Sequence, residues 1–328
     1  MLARPVSPIE GIAYTPEFMA AAKRMSEVDS LRTTFAVARQ WLIIAAAFAA
    51  AIYSGNPLVY AIAFVAIASR QQALAALMHE ATHRRLFGNA ELNDFVGNLF
   101  CALPIGLSLA RYADEHLSHH RAPNTNEDPY WLIFQANPRA WNWPKSRRGA
   151  VGLLLRDVLG LNTLSSGREI AAWTPWSNHF SSRPHPVPLP LTERIQLYGL
   201  YAAAAVLITL THAWAYFLLL WLLPALTLAP LFVRIRAISE HFALKAENGT
   251  EATRDVEAHW LERLTICSFN INYHLVHHIF PYVTYSNLPK MHALLSQNAE
   301  FRRLGPLSRT YLGRNGVLRG ELISPTTV

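Results

Sequence analysis

LVYAIAFVAIASRQQALAALMHEATH, residues 58–83, is an unbroken helical run that starts in a lipid-like composition and ends in two histidines. No charged side chain occurs from Leu58 to Ser69, and no glycine or proline interrupts the run. Arg70, Gln71 and Gln72 mark a change of solvent, yet the helical pattern continues. At about 1.5 Å of rise per residue, His79 stands roughly 13 Å beyond Arg70 along the axis. The reading is a helix that crosses a bilayer, leaves it near Arg70 and projects into the cytosol. It carries His79 and His83, spaced i,i+4, on one face.

The flanking sequence repeats this logic. Phe35 to Ser54 (FAVARQWLIIAAAFAAAIYS) reads as a first spanning helix, and Ser54-Gly55-Asn56-Pro57 is a turn signal. No charge occurs from Trp41 to Ser69, nor from Ile195 to Val233. A span needs about 20 apolar residues, so the second stretch is long enough for two. Its helices run from Ile195 to Thr211 and from Trp214 to Val233, joined by Thr211-His212-Ala213. Arg234 and Arg236 follow, and His241 lies seven residues beyond Arg234. Two returning helices thus each bring a histidine to a similar height above one surface.

The expected fold is all-α and polytopic: one domain over residues 1–328, with its core at about 35–292. Two hairpins form four spans, near 35–54, 57–78, 195–211 and 214–233, under a cytosolic helical cap. The composition agrees, with 52% hydrophobic and only 16% charged residues. Every Lys and Arg lies outside the two short connections. By the positive-inside rule both termini and all long segments face the cytoplasm, here of a bacterial inner membrane. The net charge of +7 then faces anionic headgroups rather than nucleic acid.

Leu92 to Leu109 is largely apolar but holds Pro104 and two glycines, which suits a re-entrant or interfacial helix pair. Residues 137–190, rich in Trp, Pro, Arg and Ser, suit an interfacial segment. The segment Met1 to Arg39 lacks the order of a cleaved signal peptide. Cys101 and Cys267 form neither a disulfide framework nor a CxxC pair.

Eight of fourteen histidines fall in three tight clusters: HEATH (His79, His83), HLSHH (His116, His119, His120) and HLVHH (His274, His277, His278). On helices, each cluster presents its rings in one direction. Imidazole suits Zn, Cu, Fe and Ni. Eight or nine converging imidazoles exceed what one metal coordinates, so the pattern points to a pair of metals. Glu80, Asp114, Glu115, Asp128 and Glu240 lie close by in sequence and are candidates to orient ring N–H groups, Glu80 and Glu240 foremost.

HEATHRRLF, HLSHHRAPNTNEDP and NYHLVHHIFPYVTYSNLPKMH resemble the three histidine boxes of the membrane fatty-acid desaturase and hydroxylase superfamily. The likeness runs from about Phe35 to His292. It implies a di-iron centre (with zinc able to replace iron on overexpression), oxygen as co-substrate, and electrons from a ferredoxin or cytochrome b5 type donor with its reductase. The implied ligands are the eight clustered histidines, and His241 matches the lone extra ligand of many members. Ala237 stands where animal acyl-CoA desaturases place an asparagine, which favours an acyl-lipid or bacterial subclass. No HPGG haem signature is present, so the donor is a separate protein. The implied reaction places a double bond in an aliphatic, lipid-like chain, with hydroxylation as the alternative.

Two rival readings use fewer of these residues. HEATH also matches the HExxH of zinc proteases, in which the glutamate is a general base, but that leaves most clustered histidines idle. A metal transporter wants histidines inside the spans, and the only one near them is His212 at a connection. His179, His185, His212, His259 and His292 lack clustering and are read as non-ligands.

Overall fold

Ser54-Gly55-Asn56-Pro57 turns the chain as its residue types dictate. Gly55 closes the Ser30–Ser54 helix in the left-handed region at φ 60°. Asn56 then caps the next helix by accepting from Leu58 N at 2.8 Å, and Pro57 occupies its first position. The result is a tight hairpin, Ser30–Ser54 and Pro57–Thr82. The computed structural model describes residues 12–165, 173–176, 187–244, 253–304 and 307–324.

Among the described residues, three helices are long and apolar enough to cross a bilayer: Ser30–Ser54, Pro57–Thr82 and Trp214–His241. The most apolar window of Pro57–Thr82 is 67% buried, against 28% and 22% for the other two, so it is the central helix. The others turn Leu42, Leu218, Leu219 and similar side chains outward, an apolar surface far larger than water tolerates. Small residues bring the hairpin together, with Ala51, Ala63 and Ile67 packed against Leu220.

The expected span at 195–211 lies in a helix, Leu191–Leu210, that is not one of these three. Its first turn carries Glu193 and Arg194, and Glu193 is committed to another element. It accepts from Ser108 Oγ and from Ala110 N (3.3 Å) at the start of Leu109–Arg121. The following helix, Trp214–His241, contains a π-helical turn at Leu218–Leu222 and a break at Thr227. Pro230 has no N–H for the Leu226 carbonyl, and Thr163 Oγ1 donates to that oxygen at 2.8 Å instead.

Arg70, where the sequence reading has the helix leave the bilayer, does not meet solvent. It is 7% exposed. Its Nη1 donates to Gln40 Oε1 at 2.8 Å and its Nη2 to the Leu264 carbonyl. Beyond Arg70 the helix runs on among packed protein segments, with Gln71, Gln72 and His79 also buried.

The stretch 92–109, expected as a re-entrant or interfacial helix pair, falls mostly in one helix, Ala90–Ile105, and the second helix, Leu109–Arg121, starts only at its end, bent by 95° from the first. The first lies so close to the central helix that a Cβ on Gly97 would sit 2.4 Å from Ala81 Cβ. This contact requires glycine.

Helices dominate, but among the described residues four short strands occur: β1 (Lys145–Ser146), β2 (Asp255–Glu257), β3 (Leu307–Arg309) and β4 (Ile323–Ser324). They pair in parallel as β1 with β4 and β2 with β3. A core of Trp143, Ile238, Phe242, Val256, Tyr311 and Leu322 joins the later segments. A second core seats the helix Pro16–Met25 against Leu275, Ile279 and Phe280 of the third histidine box.

Candidate metal centre

Four helix ends converge. The central helix ends at Thr82 with His79 in its last turn, and His83 is its C-cap. Leu109–Arg121, started by Ser108 accepting from Arg111 N, carries His116, His119 and His120. His241 is the last residue of Trp214–His241, and the short helix His274–Ile279 supplies His274, His277 and His278. All nine sequence-predicted histidines meet here.

They meet as two groups. In the first, one nitrogen each from His79, His83, His116, His120 and His277 lie within 4.8 Å of one another. In the second, the same holds for His119, His241, His274 and His278. All are buried except His83, which is half-buried. The first box stays whole, but the second and third are divided between the groups, so their rings do not all point in one direction as the sequence reading has it. Positions i and i+4 differ by about 40° around a helix axis, and i and i+3 by about 60° the other way. His116 and His120 thus point to one group and His119 to the other; His274 and His278 part from His277 likewise.

The spacing suits coordination better than hydrogen bonding. His116 Nε2 lies 3.0 Å from both His83 Nε2 and His120 Nε2. His274 Nε2 lies 2.8 Å from His241 Nε2 and 3.1 Å from His278 Nε2. An imidazole nitrogen offers either one N–H or one lone pair, so it cannot satisfy two such neighbours. Two nitrogens bound at about 2.1 Å and about 90° to each other stand about 3.0 Å apart; a tetrahedral angle gives about 3.4 Å. His79 Nε2 is buried without a hydrogen-bond partner among the described residues. Burial holds His274, His277 and His278 well below the usual histidine range, and His83 down at about 3. Neutral rings with lone pairs are what a cation needs.

Asp128 is the clearest supporting carboxylate. It is fully buried, and its Oδ2 accepts from His119 Nδ1 at 2.8 Å and from Asn124 N at 2.8 Å. Its Oδ1 accepts from Tyr130 N at 2.9 Å, capping the helix Pro129–Ala136. His119 therefore carries its proton on Nδ1 and aims a lone pair from Nε2. Glu240 Oε2 lies 3.6 Å from His274 Nδ1, beyond a hydrogen bond, and 3.2 Å from Arg236 Nε. Glu80 is 4.0 Å from His79 Nδ1, and its other oxygen accepts from Tyr285 N at 3.0 Å. It ties the first box to the loop after the third, which is not the placement a protease base requires.

Two tyrosines escaped the sequence reading. Tyr130 OH is 3.3 Å from His116 Nδ1, and Tyr112 stacks on the His116 ring at 5.2 Å. Their only signal is position, Tyr130 two residues after Asp128 and Tyr112 one turn before His116. The histidines read as non-ligands do lie elsewhere where described. His292 Nδ1 is 2.6 Å from Asp255 Oδ2, His259 caps Trp260–Thr265, and His212 sits in the hairpin turn. His179 and His185 fall outside the described residues. An open cleft of about 720 Å³ between Arg39, Phe35 and the Arg263–Asn270 loop contains none of the clustered histidines.

The motif pattern and the paired imidazole groups coincide with a family match. A family model described as "Fatty acid desaturase" matches residues 55–309. The chain belongs to the fatty acid desaturase family. The match takes in every clustered histidine and His241, and it makes the protein an oxidoreductase of desaturase or hydroxylase type. The chain is similar to dihydrorhizobitoxine desaturase of Bradyrhizobium elkanii, 25% identical over 295 residues, covering 86% of this chain and 81% of that protein. It is also similar to the Caenorhabditis elegans protein named "Putative sphingolipid delta(4)-desaturase/C4-monooxygenase", 24% identical over 243 residues. That alignment covers 70% of this chain and 56% of the nematode protein, so this family member spans little more than half of that relative.

Proposed function

We propose that the protein is an oxygen-dependent di-iron desaturase that introduces a double bond into an aliphatic, fatty acyl or lipid-like chain. The observation that carries this reading is the division of nine buried imidazoles into groups of five and four. His79, His83, His116, His120 and His277 are assigned to one metal, and His119, His241, His274 and His278 to the other. Each group offers a donor set suited to iron, with zinc as the replacement on overexpression. When bound, the metal pair supplies the oxidising power needed to attack an unactivated C–H bond.

The chain's own residues do the rest. Asp128 fixes the tautomer of His119, Glu80 anchors the first box to the third, and the buried neutral rings keep bulk water from the centre. The central helix links this centre to the apolar band, so the substrate arrives from the bilayer while electrons arrive from a separate ferredoxin or cytochrome b5 type donor and its reductase. The proposed topology has four spans, with Leu191–Leu210 as the third, and both termini and the centre on the cytoplasmic side of a bacterial inner membrane. Hydroxylation is the second reading, favoured by the double description, desaturase and C4-monooxygenase, in the name of the nematode relative.

Metal analysis of the purified protein tests the centre: close to two ions per chain in the wild type, and fewer, with no turnover, in His119→Ala and His277→Ala. One tightly held zinc unaffected by His277→Ala overturns it in favour of a protease. Mass spectrometry of lipids and small metabolites from an expressing bacterium tests the reaction. A product lighter by about two mass units indicates desaturation, and one heavier by about sixteen indicates hydroxylation.

A further inference from the structure

The stretch from Leu307 to Ser324 straps the protein together. Its strand β3 pairs with β2 and its strand β4 with β1. Between them, Thr310 Oγ1 donates to Glu262 Oε2 at 2.6 Å and Leu312 N to Glu262 Oε1 at 2.7 Å. Such bonds would serve a strap that only holds segments together. Two further contacts go to the metal centre.

Tyr311 is fully buried, and its hydroxyl donates to Glu240 Oε1 at 2.9 Å. Glu240, itself fully buried, is the chain neighbour of His241 and lies 3.6 Å from His274 Nδ1. Both histidines belong to the four-membered group. The second contact runs through Arg254, another fully buried side chain. Its Nη2 donates to the Phe242 carbonyl at 2.5 Å and the Ala243 carbonyl at 3.2 Å, directly after His241. Its Nη1 pairs with Glu321 of the strap. Two side chains from one segment therefore converge on residues 240–243, from opposite ends of the strap. Neither reaches the five-membered group. Tyr311 and Glu321 also lie beyond the residues matched by the family model, which stops at 309.

We propose that Tyr311 is a positioning residue for one metal only. It holds the Glu240 carboxylate beside His274 and, with Glu321 acting through Arg254, sets the end of the helix that carries His241. The inference rests on the two-metal reading. Removing the hydroxyl leaves Glu240 Oε1 without its donor and the carboxylate held only through Oε2 by Arg236 at 3.2 Å, so it is free to rotate about that contact and shift relative to His274. Groups in this position typically tune metal affinity by about 10- to 100-fold.

The test uses full-length, iron-loaded protein in detergent, challenged with EDTA, with metal per chain followed over time and thermal unfolding measured in parallel. Tyr311→Phe keeps the ring that packs in the core and removes only the hydroxyl. The expected result is release of one of the two ions about 10-fold faster or more, the second ion leaving at the wild-type rate. Glu321→Gln moves the same ion in the same direction. Thr310→Val, which breaks the strap's bond to Glu262 but not the path to Glu240, leaves both release rates unchanged. Equal acceleration of both ions in Tyr311→Phe, or none, overturns the positioning role. A wild-type protein that never holds two ions overturns the two-metal reading instead, so the two failures are distinct.

Discussion

Replacing Asp128 by Asn probes the best-defined support of the centre. The carboxylate accepts three bonds: His119 Nδ1 and Asn124 N on Oδ2, both at 2.8 Å, and Tyr130 N on Oδ1 at 2.9 Å. An amide has one acceptor oxygen. Placed where Oδ2 stood, it keeps His119 and Asn124 but turns an NH₂ toward Tyr130 N, losing the helix cap at a cost of about 1 kcal/mol. The surviving bond to His119 is no longer charge-assisted and is worth roughly half as much, a further loss of about 1 kcal/mol. The opposite orientation faces two donors with an NH₂ and costs more. Asp128→Asn is therefore destabilised by about 2 kcal/mol, and the His119 group binds metal about 10-fold more weakly or worse. Urea unfolding in mild detergent gives the first number, and competition with a chromophoric chelator the second. Wild-type values for both would refute the assignment of Asp128 as the group that sets the His119 tautomer.

Three shorter predictions complete this one. Gly97→Ala forces a Cβ to within 2.4 Å of Ala81 Cβ, so the Ala90–Ile105 helix must shift; thermal unfolding should show a loss of about 1–3 kcal/mol, and an unchanged midpoint would show that the contact yields freely. His292→Ala should keep both metals by metal analysis, because its ring bonds Asp255 rather than joining either group; loss of one ion would make it a ligand. Cysteines placed at Asn56 and His212 should react with an impermeant reagent added to intact cells, whereas one at Asn126 should not; labelling of Asn126 would put the second histidine box on the wrong side.

The hairpin was legible because each of its steps has a local cause: Gly55 closes a helix, Asn56 caps one and Pro57 begins one. Eight of the nine histidines were legible because i, i+3, i+4 clustering is rare by chance, and His241 because it follows the last apolar run and matches the lone extra ligand of the family that the motifs resemble. Their partition was not. It depends on which side of Leu109–Arg121 and His274–Ile279 the partners lie, and that is a property of packing between segments far apart in sequence. The burial of Arg70 was hidden for the same reason, since its partners Gln40 and Leu264 come from elsewhere in the chain. A charged residue after an apolar run reads as the edge of a bilayer until its partners are known. Asp128 was singled out only as a carboxylate close in sequence to the second box, Tyr130 had only its position two residues further on, and Tyr311 carries no spacing signal. The strands of two or three residues are too short for any alternation to show.

The split of the boxes also sets an order of assembly. Four of the five imidazoles in one group, His79, His83, His116 and His120, precede residue 121, so a nascent chain that has folded its first hairpin and the bent pair already holds most of that set. The other group has only His119 by then and waits for His241, His274 and His278, which emerge after the second hairpin. On the proposed two-metal reading, the two groups therefore gain most of their donors at different stages of synthesis. Most of the five-membered donor set lies in the first 120 residues, whereas three of the four donors of the other group lie at or beyond residue 241.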